Sequence, residues 1–184
     1  MLGESRALIR RARFGATAID FLLLKADDVP TYVEHGTADL GVCGRDVLGE
    51  RDVDVYQPID LGLGRCRLVV AGRVGSRSLL SGRMPRVATK YPRAAAAHFS
   101  RRGIQVEIVD LQGSVELAPL TGLSDLIVDI VETGSTLAQN RLEVKEEVSA
   151  VSSVVLANRA SYKLREALVA PLIARLRAAV CAER

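Results

Sequence analysis

Tryptophan is absent from this 184-residue chain, and aromatic residues of every kind make up only 4% of it. A platform that stacks unpaired bases needs more rings than that, which argues against single-stranded nucleic acid as a partner. A dominant charge sign is also missing. Lys and Arg number 25 against 22 Asp and Glu, leaving a net charge of +3, too slight a bias for DNA or RNA. Cysteine is scarce: Cys43, Cys66 and Cys181 form no close pair and show no metal spacing, so they read as reduced thiols. The two histidines, His35 and His98, cannot build a zinc site by themselves. His35 is placed at a helix end and His98 on a solvated helix face. No apolar run approaches the roughly 20 residues of a membrane span. The opening Met-Leu-Gly-Glu-Ser-Arg is not a secretory signal. The expectation is a soluble cytoplasmic protein that contacts neither nucleic acid nor membrane.

Apolar residues, by contrast, are plentiful at 48%. A chain of this length buries about 70% of its unfolded surface, which excludes a disulfide-held miniprotein and a disordered tail. Short β-branched runs alternate with helical segments. Residues 18–25 (AIDFLLLK) form a buried-strand candidate, followed by a helix opened by Asp27, Asp28 and Pro30 and stopped by Gly36. Further strands are expected at 39–43, 55–59, 65–72, 86–89, 105–111, 126–131, 142–148 and 151–158, with helices at 91–102, 114–120 and 133–140. Ser161 is placed as the cap of a terminal helix whose apolar face carries Leu164, Leu168, Leu172, Ile173, Leu176 and Val180. Pro171 should kink or restart that helix. Strand–helix alternation argues for an α/β class with parallel sheets. Residues 73–85 have the clearest linker composition. They divide the chain into lobe I (1–73 plus 151–184) and lobe II (74–150).

The most informative stretch is Asp129-Ile130-Val131-Glu132-Thr133-Gly134-Ser135-Thr136-Leu137. An apolar strand ends in carboxylates, and a small hydroxyl-rich turn leads into a helix. Backbone N–H groups with the hydroxyls of Thr133, Ser135 and Thr136 can wrap a phosphate, Gly134 permits close approach, and a helix dipole adds to the attraction. Asp129 and Glu132 can accept hydrogen bonds from ribose hydroxyls or meet hydrated Mg²⁺. Together they read as a binding site for a ribose 5-phosphate. The alternative from the residues alone is an ordinary helix cap beside two solvated acids.

Ordered stretches resemble the ATP phosphoribosyltransferase family in its short form. They are DVPTYVEHGTADLGVCGRDVL (28–48), DLGLGRCRLVVAG (60–72), RVATKYP (86–92), GSVELAPLTGLSDLIVDIVETGSTL (113–137) and ANRASYK (157–163). The resemblance implies an α/β, two-lobed type II periplasmic-binding-protein-like fold with a cleft between the lobes. It implies transfer of 5-phosphoribosyl from phosphoribosyl pyrophosphate to N1 of ATP in histidine biosynthesis, with Mg²⁺ carried by the substrates and no protein metal site. Asp129 is then the candidate catalytic residue, and Glu132, Thr133, Gly134, Ser135 and Thr136 hold the phosphoribosyl group. Lys90 is a phosphate contact, Ser114 and Glu116 sit at a second strand-to-helix turn, Arg45 can reach a phosphate, and Arg6 lies in an S-R stretch near substrate. Either Arg65 or Arg67 can point inward.

The resemblance also implies partners: a homodimer within a hetero-oligomer containing a regulatory subunit that resembles histidyl-tRNA synthetase. The family's opening strand with its P-K-G-R-like turn has no counterpart in this sequence, so an impaired family member is one alternative. A ligand-binding or sensor module of the same fold is the other.

Overall fold

A computed structural model describes residues 8–76 and 84–182. In chain order the first elements are β1 (Ile9–Phe14), β2 (Thr17–Leu22), α1 (Val29–Glu34), β3 (Leu40–Gly44), α2 (Arg45–Glu50), β4 (Val55–Asp60) and β5 (Cys66–Arg73). There follow β6 (Arg86–Thr89), α3 (Pro92–Arg101), β7 (Glu107–Asp110), α4 (Leu117–Thr121), β8 (Leu126–Val131) and α5 (Ser135–Gln139). The last are β9 (Leu142–Val151), β10 (Ser153–Asn158), α6 (Arg159–Leu164) and α7 (Glu166–Ala182).

The chain divides into two compact units: one comprises the residues up to Gly62 and those from Ser153 onward, the other Leu63–Ser152. The division differs from the expected one at residue 73. The whole of β5 belongs to the second unit because it pairs antiparallel with both β8 and β9. The hydrogen-bonding demand of a central strand thus outweighs the linker composition that follows it. Part of that linker, 77–83, lies outside the described residues.

In the first unit β10 lies between β3 and β4, antiparallel to both. Its alternating side chains serve two cores. Val154 and Leu156 pack with Val33, Cys43, Val47 and Leu48, while Val155 packs with Ile59 and with Val169 and Ile173 of α7. The second unit holds a five-stranded sheet in the order β7-β6-β8-β5-β9. Among the described residues only β6 with β7 and β6 with β8 are parallel. The all-parallel expectation is therefore corrected. A parallel neighbour requires a crossover, and here α3 and α4 supply it between β6, β7 and β8.

Several local expectations are also corrected. Residues 18–25 form no buried strand. Among the described residues β2 pairs with β1 alone, in a two-stranded ribbon whose Phe21 and following Leu23 are exposed. Both strands of the ribbon are exposed or only half-buried along their length. Asn158, not Ser161, caps α6, its side chain accepting the N–H of Ser161 at 2.9 Å. The terminal helical segment breaks at Arg165, and Pro171 lies inside α7. After that break the buried face is Val169 and Ile173 with Leu176 packed beside them, and Leu164 (85% exposed) and Leu168 (54%) are left in solvent. His98 is buried rather than solvated: it lies edge-on to Phe99 at 5.3 Å, with Nε2 3.4 Å from a Glu146 carboxylate oxygen. His35 ends α1 as expected.

Candidate active site

Three parallel strands, β7, β6 and β8, share one direction, so their carboxyl ends lie on one edge of the second unit's sheet. Ligands of open α/β sheets bind at such an edge. Each strand delivers part of the candidate site. The turn after β6 carries Lys90, the segment after β7 carries Gly113, Ser114 and Glu116, and β8 carries Asp129 into the Glu132–Ser135 turn.

Asp129 shares a face of β8 with Ile127 and Val131. Those two pack with Val115, Ala118 and Leu137 from the segments around α4 and α5. The position is one residue beyond the last pairing of β8 with β6, where Val128 meets Thr89. Burial pushes the Asp129 carboxyl above the usual carboxylate range. The N–H of Ile130, donated to Asp129 Oδ1 at 2.8 Å, opposes that shift, the charge of Glu116 adds to it, and Lys90 opposes it. Packing of Val115 against Ile127 and Val131, and the pairing of Thr89 with Val128, set the neighbouring Glu116, Asp129 and Lys90 close to one another, and the charges of Glu116 and Lys90 both act on the Asp129 carboxyl.

The turn after β8 has a specific build. Gly134 has φ +83°, a left-handed conformation that costs an L side chain roughly 1–2 kcal/mol. Thr133 Oγ1 and Ser135 Oγ lie 3.1 Å apart, and the Ser135 N–H points to Thr133 Oγ1 at a long 3.4 Å. Two exposed hydroxyls therefore converge over the first turn of α5, whose leading N–H groups have no partner four residues back within the helix. The helix expected over 133–140 begins only at Ser135 because of the Gly134 turn, and spans five residues. So short a helix has little dipole to contribute, and an anion there depends on hydrogen bonds from hydroxyls and amides. Glu132 and Thr136 are exposed on the same turn.

The helix expected from Ser114 is displaced. Ser114 has φ +48° and forms the turn before α4, its carbonyl accepting the N–H of Leu117 at 3.1 Å, and Glu116 occupies the N-cap position without a side-chain cap bond. The other end of α4 is held by two arginines not singled out from the sequence. Arg73 donates to the carbonyls of Pro119 and Leu120, both at 2.8 Å, and Arg86 donates to that of Gly122 at 2.8 Å. Nothing in the local pattern marks an arginine as a clamp on a distant helix end. Thr89, buried beneath Lys90, was missed for the same reason.

Arg45 belongs to the first unit and pairs there with Asp60 at 3.0 Å. Arg67, on the interior strand β5, pairs with Glu147 of the neighbouring β9 at 3.3 Å, and its side chain is exposed, not turned inward. Arg65 is exposed. Arg6 lies outside the described residues. Among the described residues, no cluster of three or more His, Cys, Asp or Glu side chains is arranged to hold a metal ion. No described helix is long and apolar enough to cross a membrane.

Comparison with known proteins adds to this geometry. The family described as "HisG: ATP phosphoribosyltransferase" matches residues 25–178. The ATP phosphoribosyltransferase of Sorangium cellulosum is 60% identical over 176 residues, 96% of this chain and 81% of that protein. Among solved structures, the ATP phosphoribosyl transferase (HisG:HisZ) complex from Thermotoga maritima includes a chain with TM-score 0.79 and 40% identity. The match covers 88% of this chain and 79% of that one. The arginine-bound form of truncated ArgBP from T. maritima shares the fold at TM-score 0.54 and 12% identity, over 89% of this chain and 76% of that one.

Proposed function

The chain belongs to the ATP phosphoribosyltransferase family, and from that premise we propose that the carboxyl edge of the β7-β6-β8 sheet holds its phosphoribosyl donor. The activity is that of the family: an enzyme of histidine biosynthesis that transfers the phosphoribosyl group of phosphoribosyl pyrophosphate to ATP. Its α/β fold is related to the periplasmic binding proteins. The observation carrying the site assignment is the convergence of Lys90, Glu116 and Asp129 beside the Thr133–Gly134–Ser135 turn.

In this reading the hydroxyls of Thr133, Ser135 and Thr136 and the N–H groups of that turn hold the 5-phosphate, with Gly134 allowing close approach. Asp129 and Glu132 accept hydrogen bonds from the ribose hydroxyls. Lys90 offsets phosphate charge, and Glu116 and Ser114 line the adjoining turn. Adenine N1 attacks ribose C1 and pyrophosphate leaves. N1 carries no proton, so the step needs no strong base. The protein's contribution is to align two anions and to place carboxylate charge near a carbon that becomes positive. Mg²⁺ fits as a passenger on the substrate phosphates, met by one or two carboxylates such as Asp129 and Glu132. When bound, it neutralises charge on the departing pyrophosphate.

The finer expectations belong to the same proposal. The type II arrangement with its cleft is supported by likeness of fold alone. A partner subunit in a larger assembly is supported by the Thermotoga HisG:HisZ complex, and the homodimer within a hetero-oligomer rests on the sequence resemblance to the short form. Arg45 and Arg6 as phosphate contacts rest on the sequence resemblance, and a cytoplasmic setting rests on the cysteine usage and the opening residues of the sequence.

The test is calorimetric titration of the intact chain with phosphoribosyl pyrophosphate in Mg²⁺ buffer, for the wild type and for the Thr133→Val, Ser135→Ala double variant. Binding weakened about tenfold or more in the variant supports the assignment. Equal affinity places the 5-phosphate elsewhere.

A further inference from the structure

We infer that Thr89 is a positioning residue for this site, its hydroxyl fastening the turn that presents Lys90 to the strand that presents Asp129. The inference rests on the site assignment proposed above. Thr89 is the last residue of β6 and pairs in register with Val128, the residue before Asp129. Its relative exposure is 0%, an unfavourable place for a hydroxyl unless both of its hydrogen-bonding capacities are used. Both are. Oγ1 donates to the Val128 carbonyl at 2.6 Å and accepts the N–H of Tyr91 at 2.8 Å.

The pairing of β6 with β8 ends at this residue. One hydroxyl therefore extends the attachment beyond the last rung of the ladder and bends the chain immediately afterwards. Lys90 is the residue between the two anchored positions. Tyr91 is buried in the core with Ala95 and Phe99 of α3, so the turn is held from the helix side as well. Packing alone would be satisfied by valine, which has nearly the same shape. Valine, however, removes this hydrogen bond from both the Val128 carbonyl and the Tyr91 N–H, and the turn shifts once it is no longer fastened to β8 through residue 89. Lys90 shifts with it. A displacement of about 1 Å in a group that positions a reactant is enough to impair a reaction that depends on alignment.

Steady-state kinetics of Thr89→Val and Thr89→Ser, with both substrates varied, test the inference. Thr89→Val is expected to raise KM for phosphoribosyl pyrophosphate about tenfold with KM for ATP within about twofold of wild type, and Thr89→Ser to behave as wild type. A purely structural role would not separate the two substrates. A wild-type donor KM in Thr89→Val, or an equal defect in Thr89→Ser, overturns the inference. Should Thr89→Val fail to fold, Thr89→Ala against Thr89→Ser isolates the same hydroxyl under the same criteria. Lys90→Met and Asp129→Asn are measured alongside. If both leave the donor KM unchanged, the site assignment itself falls. If they change it while Thr89→Val does not, only the role of Thr89 falls.

Discussion

Asp129 and Glu116 reach the same edge of the second unit's sheet from different elements, one within β8 and the other at the start of α4. Burial first and the charge of Glu116 second hold the Asp129 carboxyl above the usual carboxylate range. An acid kept partly out of water beside another acid is costly to ionise. The fold tolerates that cost where a ribose and a developing positive charge would make use of it.

Asp129→Asn is therefore expected to separate stability from activity. A carboxyl whose folded pKa is raised binds its proton more tightly in the folded state. Stability contributed by the protonated form is present below the unfolded carboxylate pKa and is lost as pH rises through the raised folded value. At neutral pH the amide removes that loss, so the melting temperature should rise, while kcat/KM for the donor falls about 100-fold. Melting curves between acid and neutral pH should show the gap between variant and wild type closing as pH falls. A variant less stable than wild type at neutral pH would contradict this account of Asp129.

Gly134 tests whether the turn's geometry matters independently of space. A Cβ at this position would meet only Val131 Cγ1, at 3.9 Å, so the cost of Gly134→Ala comes from its φ of +83° and not from a clash. Denaturant unfolding should show a loss of about 1 kcal/mol for Ala, less for Asn and more for Val, following their tolerance of the left-handed region. Equal losses for all three would mean that the turn relaxes freely.

Asn158 ties three parts of the first unit together. Its Nδ2 donates to the carbonyls of Val33 at 2.9 Å and Glu34 at 3.0 Å, and its Oδ1 accepts the N–H of Ser161 at 2.9 Å. Asn158→Ala should cost about 2 kcal/mol by chemical unfolding. Asn158→Asp keeps the cap but sets an acceptor-only carboxylate against two carbonyls, so its cost should exceed that of Ala at pH 7 and shrink towards pH 4. A stable Asp variant at pH 7 would remove the two carbonyl contacts from the argument.

The cysteines should differ sharply in reactivity. Burial, with a smaller contribution from Asp46, pushes the Cys43 thiol up to about 11, whereas Cys181 is exposed near the end of α7. At pH 8 roughly one Cys43 thiol in a thousand is ionised. Iodoacetamide followed by mass mapping should modify Cys181 in minutes and Cys43 only after denaturant is added. Rapid labelling of native Cys43 would show that the α1–β3–α2 packing opens readily.

Much of the candidate site was legible in the sequence because its parts are contiguous. The run from Asp129 to Thr136 carries a strand, an acid, a left-handed glycine and two converging hydroxyls within eight residues, and each has a local signature. The strands at 86–89 and 126–131 were legible for the same reason, as short β-branched runs bounded by turn residues. Lys90, Glu116 and Ser114 became candidates through the family resemblance of the stretches that carry them.

What local pattern does not encode is which strands become neighbours, and only the tertiary structure decided that. Placing β5 between β8 and β9 moved the unit boundary from residue 73 to residue 62 and made two of the four pairings in its sheet antiparallel. Apolar periodicity marked Leu164 and Leu168 for burial, yet the break at Arg165 turned the buried face of the last helix to Val169 and Ile173. His98 is drawn into the core by Phe99 and Glu146, two contacts of which one lies 48 residues away along the chain. Thr89 looks like any strand-end threonine until Val128 is placed across the ladder from it. Periodicity reports the side of an element that seeks burial. The partner that covers it, and the hydrogen bonds made there, depend on residues distant in sequence.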